Sequence, residues 1–290
     1  MSAARSSVVG IVAPGAMGAA LGRCLAAGGH RVVVALAGRG SATVRRAREA
    51  SLEDLGGLDA LVGTADVVLG VVPPGQARAL GDDLAAALVR TGARPLVAEL
   101  DAVSPATVAA IAEALPVDLV DGGISGPPPR PDSASPTRVF LSGPRAAEVA
   151  ALSAPGVAWS VLDGPVGAAS ATKMCTASVR KGYEALLAHA LVAADAHGVV
   201  DAVVEDLRIS FPDAGSRRAA VAVTKAWRYV DEMEQIAETQ DDAGLTPALF
   251  RAFAQVYRDL ATGPWGSSRP EDLPADVPAA QLRPGSAPGR

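Results

Sequence analysis

The sequence predicts an α/β domain followed by an all-α domain, the two being joined by one long helix. In the first 164 residues, short β-branched stretches alternate with Ala- and Leu-rich stretches, a pattern typical of a parallel sheet with helices on both faces. From Val166 to about His197 a helical stretch continues without proline, and only helical patterns follow it. We therefore expect an α/β domain at 1–164 and a helical domain at 165–263.

The individual elements follow from the same periodicity. Strands are predicted at 8–12, 31–35, 67–72, 96–100, 119–121 and 138–142. Helices are predicted at 17–27, 42–49, 75–89, 105–114, 145–151, 166–197, 201–210, 216–240 and 246–261. Ser104-Pro105 is a typical helix start, with an N-cap followed by proline at the first helical position. Residues 264–290 are rich in proline, glycine and serine, which predicts a flexible tail.

Composition excludes several classes of function. With 49% hydrophobic residues, a chain of 290 residues can bury a sizeable core. A net charge of −5 and only 3% aromatic residues argue against nucleic acid as a partner. Two widely separated cysteines and three histidines argue against a disulfide scaffold and against a metal site. No signal peptide or membrane span is recognised, so we expect a cytoplasmic protein without a membrane partner.

The first predicted strand leads into a turn of small residues and then into a helix. The turn reads Ala13, Pro14, Gly15, Ala16, Met17 and Gly18. Such a strand–turn–helix unit binds dinucleotides, because backbone N–H groups and the helix dipole attract the pyrophosphate. The usual G-x-G-x-x-G spacing has Ala13 in place of its first glycine, and alanine avoids positive φ, so we expect a remodelled turn. The alternative is an ordinary βα turn in an Ala-rich chain.

The end of the second predicted strand indicates which dinucleotide binds. NAD-specific folds place Asp or Glu there to bind the ribose 2′-hydroxyl, whereas residues 34–37 contain no acid. Arg39 and Ser41 follow instead and offer a guanidinium and a hydroxyl to a 2′-phosphate. The sequence therefore predicts NADPH/NADP⁺ as cofactor, with a solvated basic turn as the alternative.

Two later stretches place polar groups among small residues. The first, at 121–128, reads Asp-Gly-Gly-Ile-Ser-Gly-Pro-Pro and contains Ser125 and Gly126. The second, at 167–175, opens the long helix and contains Lys173. A lysine desolvated among small side chains has a lowered pKa and can exchange protons near neutral pH.

Together these stretches resemble the β-hydroxyacid dehydrogenase and 6-phosphogluconate dehydrogenase superfamily, which includes the imine reductases. The resemblance covers about residues 8–262 and is strongest to the subfamily whose helical C-terminal domain was long of unknown function. It implies that Lys173 is the catalytic acid/base and that Ser125 and Gly126 bind the substrate. It also implies cofactor contacts by a loop that reads Val72, Pro73 and Pro74.

The resemblance further implies a homodimer, in which the partner's helical domain helps to line the site. The residues so implied are Trp227, Tyr229 and Met233, for which packing within a helical core is the alternative. The long Ala-rich helix is itself typical of a helix that packs against a second copy. Cys24 and Cys175 are expected to be small buried hydrophobic residues.

Three departures from the family pattern bear on the chemistry. Ala177 stands where hydroxyacid dehydrogenases usually have Asn, one turn after Lys173. Imine reductases usually replace that lysine by Asp or Tyr, and this chain retains it. Pro127 replaces a glycine in the substrate loop and removes one N–H donor.

The sequence therefore predicts an NADPH-dependent oxidoreductase acting on a small hydroxy acid, keto acid or other carbonyl compound. One alternative is an imine reductase that forms an amine in a biosynthetic pathway. An alternative of another class is a non-catalytic NADP(H)-binding protein. The phosphate-binding residues of sugar-phosphate dehydrogenases are not recognised in the sequence.

Overall fold

A computed structural model describes residues 6–285 of the chain. The chain forms two compact units, one ending at Met174 and the other beginning at Cys175. The expected fold class, an α/β domain followed by an all-α domain, is confirmed. The division between the units falls ten residues later than position 164, because the first turns of the long helix belong to the α/β unit.

The first unit contains one sheet of eight strands. The strands are β1 (Val8–Val12), β2 (Arg31–Ala35), β3 (Glu53–Asp54), β4 (Val67–Gly70), β5 (Leu96–Glu99), β6 (Leu119–Ser125), β7 (Thr137–Ser142) and β8 (Val157–Val161). Their order is β3-β2-β1-β4-β5-β6-β7-β8, and the pairs are parallel except that β7 runs antiparallel to β6. The strand order reverses between β1 and β4, and open α/β sheets bind ligands at the carboxyl edge of such a point.

Helices cover both faces of this sheet, so the unit has two hydrophobic cores. The helices are α1 (Ala16–Ala27), α2 (Ser41–Glu49), α3 (Leu58–Thr64), α4 (Ala77–Thr91), α5 (Pro105–Ala114) and α6 (Ala146–Ala150). One core contains α1 and α6 residues such as Leu25 and Val149, and the other contains α4 and α5 residues such as Leu84 and Ile111. Nearly continuous burial along the central strands is typical of a parallel sheet covered on both faces.

Most predicted elements of this unit are confirmed, and three were missed. The predicted bounds of β1, β2 and α5 agree with the structure, and the other predicted elements shift by a few residues. β3 was missed because it consists of two exposed acidic residues, Glu53 and Asp54, and has no apolar pattern. The missed β8 is a partly exposed edge strand, and α3 is a helix of only seven residues.

The second unit is helical. Its helices are α7 (Ala168–Ala196, which begins in the first unit), α8 (Val200–Ser210), α9 (Ser216–Val223), α10 (Ala226–Asp242) and α11 (Ala248–Ala261). The single helix predicted at 216–240 is divided into α9 and α10, because Lys225 leaves helical geometry with φ −113° and ψ 0°. Tyr229 of α10 meets Tyr257 of α11 edge to face at 5.2 Å. Among the described residues, no helix is long and apolar enough to cross a membrane.

The proline-rich segment differs from the flexible tail that was expected. Pro270–Asp272 and Ala279–Leu282 form turns of 3₁₀-helix, and Leu273, Val277 and Leu282 are buried. Arg283 forms an ion pair with Asp195 of α7 at 2.7 Å. Apolar residues spaced among the prolines therefore pack the segment over 264–285, and residues 286–290 lie outside the described part.

Candidate dinucleotide and substrate site

The turn between β1 and α1 has the form of a dinucleotide cradle. Gly15 is the N-cap of α1 and provides no side-chain hydrogen bond, and a Cβ built on Gly15 meets no atom within 4 Å. The first N–H groups of a helix have no partner within the helix, so this end can receive an anion. Gly18 lets α1 approach β1, because a Cβ there lies only 3.2 Å from Ile11.

Ala13 corrects one expectation. It adopts φ +57°, the left-handed conformation that glycine usually provides, and the turn is closed by a Gly15 N–H···O=C Ala13 contact of 2.7 Å. The expectation that alanine would keep φ below zero is therefore wrong. A residue with a Cβ adopts this conformation at a cost of about 1–2 kcal/mol.

The carboxyl end of β2 carries the residues expected at a 2′-phosphate. Arg39 and Ser41 are both exposed, and Ser41 is the first residue of α2. β2 itself ends without an acid, but the unpredicted β3 brings Asp54 to this end. Asp54 Oδ1 accepts hydrogen bonds from the backbone N–H groups of Leu36 at 3.1 Å and Gly56 at 2.8 Å. One carboxylate oxygen is thus committed to holding the loop.

The loop after β4 is fixed by a carboxyl group that follows the neighbouring strand, β5. Asp101 Oδ1 accepts a hydrogen bond from the Val72 N–H at 2.5 Å, Pro73 is extended, and Pro74 begins a turn of 3₁₀-helix. Because β1 and β4 are adjacent, residues 13–17 and 72–74 leave the sheet side by side at the point where strand order reverses. The structure therefore brings the predicted cofactor loops together.

Two buried acids next to this loop were not recognised as a pair from the sequence. Glu99 and Asp101 are each 3% exposed, and the Asp101 N–H donates to Glu99 Oε1 at 2.9 Å. Burial, together with the charges of Asp101 and Asp121, holds the pKa of Glu99 well above its usual range. Burial also raises the pKa of Asp101, to about 6. Glu99 therefore keeps its proton more strongly than Asp101 does, because the neighbouring negative charges add to the effect of burial.

A third buried carboxylate, Asp121 of β6, holds the start of α7. Its Oδ2 accepts hydrogen bonds from the N–H groups of Gly167 and Ser170 at 2.9 and 3.0 Å and from Ser142 Oγ at 2.9 Å. Its Oδ1 accepts from Ser170 Oγ at 2.6 Å. Ser142 Oγ also accepts from the Ala169 N–H at 3.0 Å. A carboxylate at a helix N-terminus satisfies its N–H groups and its dipole.

Lys173 follows this junction and passes over β6. A Cβ built on Gly123 would lie 2.7 Å from Lys173 Cβ, 3.4 Å from Lys173 Cγ and 3.2 Å from the Ala169 carbonyl oxygen. Gly123 is therefore required for this close approach. Because side chains alternate along a strand, Asp121, Gly123 and Ser125 share the face of β6 that α7 covers.

The predicted substrate loop begins on the same strand. Ser125 is the partly exposed last residue of β6, and the next residue, Gly126, has φ +145° and is exposed. Thr137 Oγ1 donates to the Pro127 carbonyl oxygen at 2.7 Å and closes the loop. Ser125 and Gly126 thus lie at the carboxyl end of β6, and the Lys173 stem crosses the strand two residues before Ser125.

The residues expected from the helical unit lie in different environments. Met233 and Tyr229 are buried, and the Lys181 ammonium lies 4.1 Å from the centroid of the Tyr229 ring. Trp227 is 60% exposed, and Ala177 is buried on α7. Packing accounts for Tyr229 and Met233 within their own unit, and a role for any of these residues towards substrate stays a prediction. Cys24 is buried as expected, whereas Cys175 is exposed, which corrects that expectation.

Comparison with known proteins agrees with this architecture. Residues 194–260 match a domain of unknown function, DUF1932. One solved structure is of a conserved protein of unknown function that is described as structurally similar to 3-hydroxyacid dehydrogenases. It is 25% identical to this chain, and the alignment covers 87% of this chain and 97% of that chain with a TM-score of 0.62. Comparison with curated proteins gives no match.

Two enzymes of known activity have the same fold. The 3-hydroxyisobutyrate dehydrogenase of Mycobacterium tuberculosis, solved with L-serine, is 19% identical, with 89% and 94% of the two chains covered and a TM-score of 0.63. A variant of the imine reductase of Myxococcus stipitatus, solved with NAD⁺, is 17% identical, with 88% and 93% covered and a TM-score of 0.56. The chain therefore has the fold of the 3-hydroxyacid dehydrogenases and imine reductases. It carries a DUF1932 domain in its helical unit, which confirms the expected resemblance.

Proposed function

We propose that the protein is an NADPH-dependent oxidoreductase that transfers a hydride between nicotinamide and a small hydroxy acid, keto acid or other carbonyl compound. The observation that supports this most is the crossing of the Lys173 stem over Gly123, on the face of β6 that also carries Ser125. The open turn at Gly15 lies three strands away at the same edge of the sheet, about 14 Å at the usual strand spacing. An extended dinucleotide can span that distance.

Different residues of the chain would bind the cofactor, orient the substrate and transfer the proton. The N-terminus of α1 would hold the pyrophosphate, and the loop at 72–74 would form the wall beside it. NADPH would supply the hydride when bound. Ser125 and the Gly126 N–H would orient the substrate's polar end, and the Lys173 ammonium would give a proton to the reduced oxygen or take it back in the reverse direction.

The central experiment measures cofactor oxidation over a panel of keto acids, aldehydes and cyclic imines. Lys173→Ala should lower kcat by about 10²–10⁴-fold, because a positioned general acid contributes that much, while the Kd for NADPH stays nearly constant. Lys173→Arg should not restore kcat, because guanidinium stays protonated. Turnover above about a third of wild type in the alanine variant would assign the proton to another group. Binding of NADPH without oxidation on any compound would favour a non-catalytic binding protein.

The preference for NADPH is tested separately. Arg39 and Ser41 are exposed where a 2′-phosphate would lie, which supports at least tenfold tighter binding of NADPH than of NADH, about 1.4 kcal/mol. Arg39→Ala should weaken NADPH and leave NADH nearly unchanged, as measured by fluorescence titration. Equal affinities in the wild type would contradict this proposal, and the Asp54 carboxylate would then be the group to test against the ribose.

Reduction of imines is the second candidate, and Ala177 is the observation that favours it. The small buried side chain stands where the hydroxyacid dehydrogenases usually have Asn, and the fold is shared with imine reductases. Retention of Lys173 favours carbonyl chemistry. The same panel separates the two candidates, since an imine reductase would prefer the cyclic imines.

We also propose that the protein is a homodimer through its helical unit. Within that unit Val179, Leu186, Ile209 and Trp227 are each more than half exposed, and α8 buries no residue. Val179 and Leu186 lie seven positions apart and therefore on one face of α7, and contiguous exposed apolar surface is typical of a protein interface. A monomeric mass by light scattering at micromolar concentration would refute the dimer.

A further inference from the structure

Arg138 lies directly opposite Ser125 in the antiparallel ladder between β6 and β7. The pairs along this ladder include Asp121 with Ser142, Gly123 with Phe140, and Ser125 with Arg138. Directly opposite residues of an antiparallel pair share one face, with Cβ atoms about 4.5–5.5 Å apart. The hydrogen bond between Ser142 Oγ and Asp121 shows that this face is the one that α7 covers.

The ladder changes from buried to exposed along its length. Asp121 and Ser142 are fully buried at one end, Phe140 is partly exposed in the middle, and Arg138 is exposed at the other end. The Lys173 stem crosses the ladder at its middle pair. At the exposed end, the Ser125 hydroxyl and the Arg138 guanidinium therefore lie next to the segment of α7 that carries Lys173.

The guanidinium of Arg138 is available to a ligand. It lies 5.8 Å from the centroid of the Phe140 ring, and no hydrogen bond or ion pair with another residue among 6–285 is found for it. Some arginines of the same unit are instead paired, as Arg145 is with Glu148 at 2.7 Å. The acids of this face do not neutralise Arg138, because Asp121 is buried under four hydrogen bonds at the far end.

We propose that Arg138 is a specificity-determining residue that binds a carboxylate of the substrate and so selects acids over neutral carbonyl compounds and neutral imines. The inference rests on the proposed oxidoreductase function and adds a residue to it. A guanidinium binds a carboxylate through two parallel hydrogen bonds, and contact with the Phe140 ring limits its orientations. The carboxylate would lie between Arg138 and Ser125, with the reacting carbon towards Lys173.

The test uses pairs of related substrates of which only one member carries a carboxylate, assayed with NADPH. Suitable pairs are pyruvate with methyl pyruvate, and 1-pyrroline-2-carboxylate with 1-pyrroline. Wild type should favour the acid of a pair, and Arg138→Gln should lower kcat/KM for that acid by tenfold to a hundredfold, mainly through KM. The neutral partner should be unaffected. Arg138→Lys should restore only part of the loss, because an ammonium lacks the planar fork.

The control variant is Arg48→Gln, which removes an exposed positive charge from α2 of the same unit. It should leave the acid-to-neutral preference unchanged. An equal loss on acids and neutral partners in Arg138→Gln, or a wild-type preference for neutral compounds, overturns the inference and leaves the oxidoreductase function intact. Failure of wild type to oxidise NADPH with any compound overturns the proposed function itself.

A binding measurement makes the inference independent of turnover. Malonate and oxamate are titrated calorimetrically into the NADPH-saturated protein, and both should bind wild type. The ligand that binds wild type more tightly should have an at least tenfold higher Kd for Arg138→Gln. Equal affinity in the two proteins, or no binding of either carboxylate to wild type, contradicts the role of Arg138.

Discussion

The helices α1 and α7 begin in opposite ways. α1 starts at Gly15, which offers no side chain to the N–H groups of the first turn. α7 starts over Asp121, whose carboxylate accepts the N–H groups of Gly167 and Ser170. Both ends carry the partial positive charge of a helix N-terminus. The first remains open to an anion from outside, whereas the second is closed by an anion of the chain itself.

A helix N-terminus can thus either bind an external anion or anchor its own helix to the fold. An open end binds a ligand and contributes little to stability until the ligand arrives. A closed end fixes the direction of its helix, and here it fixes the helix that carries Lys173 one turn beyond Ser170. A variant that closes α1 should therefore gain stability and lose ligand binding, whereas a variant that opens α7 should lose stability.

The largest expected effect follows removal of the carboxylate that closes α7. Asp121→Ala leaves two buried N–H groups and two hydroxyl groups without their acceptor, which should lower the free energy of unfolding by about 3 kcal/mol or more. Urea unfolding measures this loss. NADPH affinity of the folded fraction should change little, because the α1 turn is separate from this network.

Two matched variants sharpen that prediction. Asp121→Asn can keep an acceptor oxygen at the Oδ2 position and should lose only about 1–2 kcal/mol, the part that depends on charge. Asp118→Asn removes an exposed carboxylate just before β6 and should be neutral. If all three variants unfold at the same urea concentration, Asp121 does not hold the helix.

The converse change closes α1. Gly15→Asp places a carboxylate at an N-cap with φ −64° and open space around the Cβ position, so the side chain can accept the first-turn N–H groups. Stability should rise by a few tenths of a kcal/mol. NADPH affinity should fall at least a hundredfold, about 2.7 kcal/mol, because the carboxylate occupies the donors and repels the pyrophosphate. Gly15→Asn, which caps without charge, should bind NADPH more tightly than the aspartate variant. Unchanged affinity in Gly15→Asp would remove the pyrophosphate from this turn.

The sequence predicted the open end better than the closed one, and the reason is distance along the chain. The α1 turn is read from six consecutive residues, and so is the start of α5 at Ser104-Pro105. The closure of α7 joins Asp121 to Ser170, 49 positions away. Arg138 lies opposite Ser125 because of the register between β6 and β7. The long proline-rich loop that joins these strands does not define their register, so the sequence did not predict this pair. The conformation of Ala13 was predicted wrongly, because local preference gave way to the geometry of the turn.

The buried acids between the two helix ends make stability depend on pH. Glu99 and Asp101 have pKa values raised by burial, so their contribution to stability is complete below about pH 4 and is lost as pH rises through about 6 and above. Glu99→Gln keeps an acceptor oxygen for the Asp101 N–H and has no proton to lose. Relative to wild type its unfolding free energy should therefore increase as pH rises from 5 to 8, by up to about 1.4 kcal/mol for each pH unit over which Glu99 of the folded wild type keeps its proton.

Urea unfolding at several pH values checks this difference. Glu113→Gln, which removes an exposed carboxyl from α5, serves as the control and should follow wild type throughout the range. A constant difference between wild type and Glu99→Gln at all pH values would show that the pair does not titrate in this range.

The smallest expected effect tests how much strain the open end contains. Ala13 at φ +57° costs about 1–2 kcal/mol, and glycine removes that cost but loses about 0.5–1 kcal/mol through the greater freedom of the unfolded chain. Ala13→Gly should therefore raise the free energy of unfolding by roughly 0.5–1 kcal/mol. Ala16→Gly, at the first position of α1, lacks the strain and should lower stability by a few tenths of a kcal/mol. Opposite signs for the two variants in urea unfolding would locate the strain at Ala13, whereas equal losses would show that the alanine fits this turn as well as glycine does.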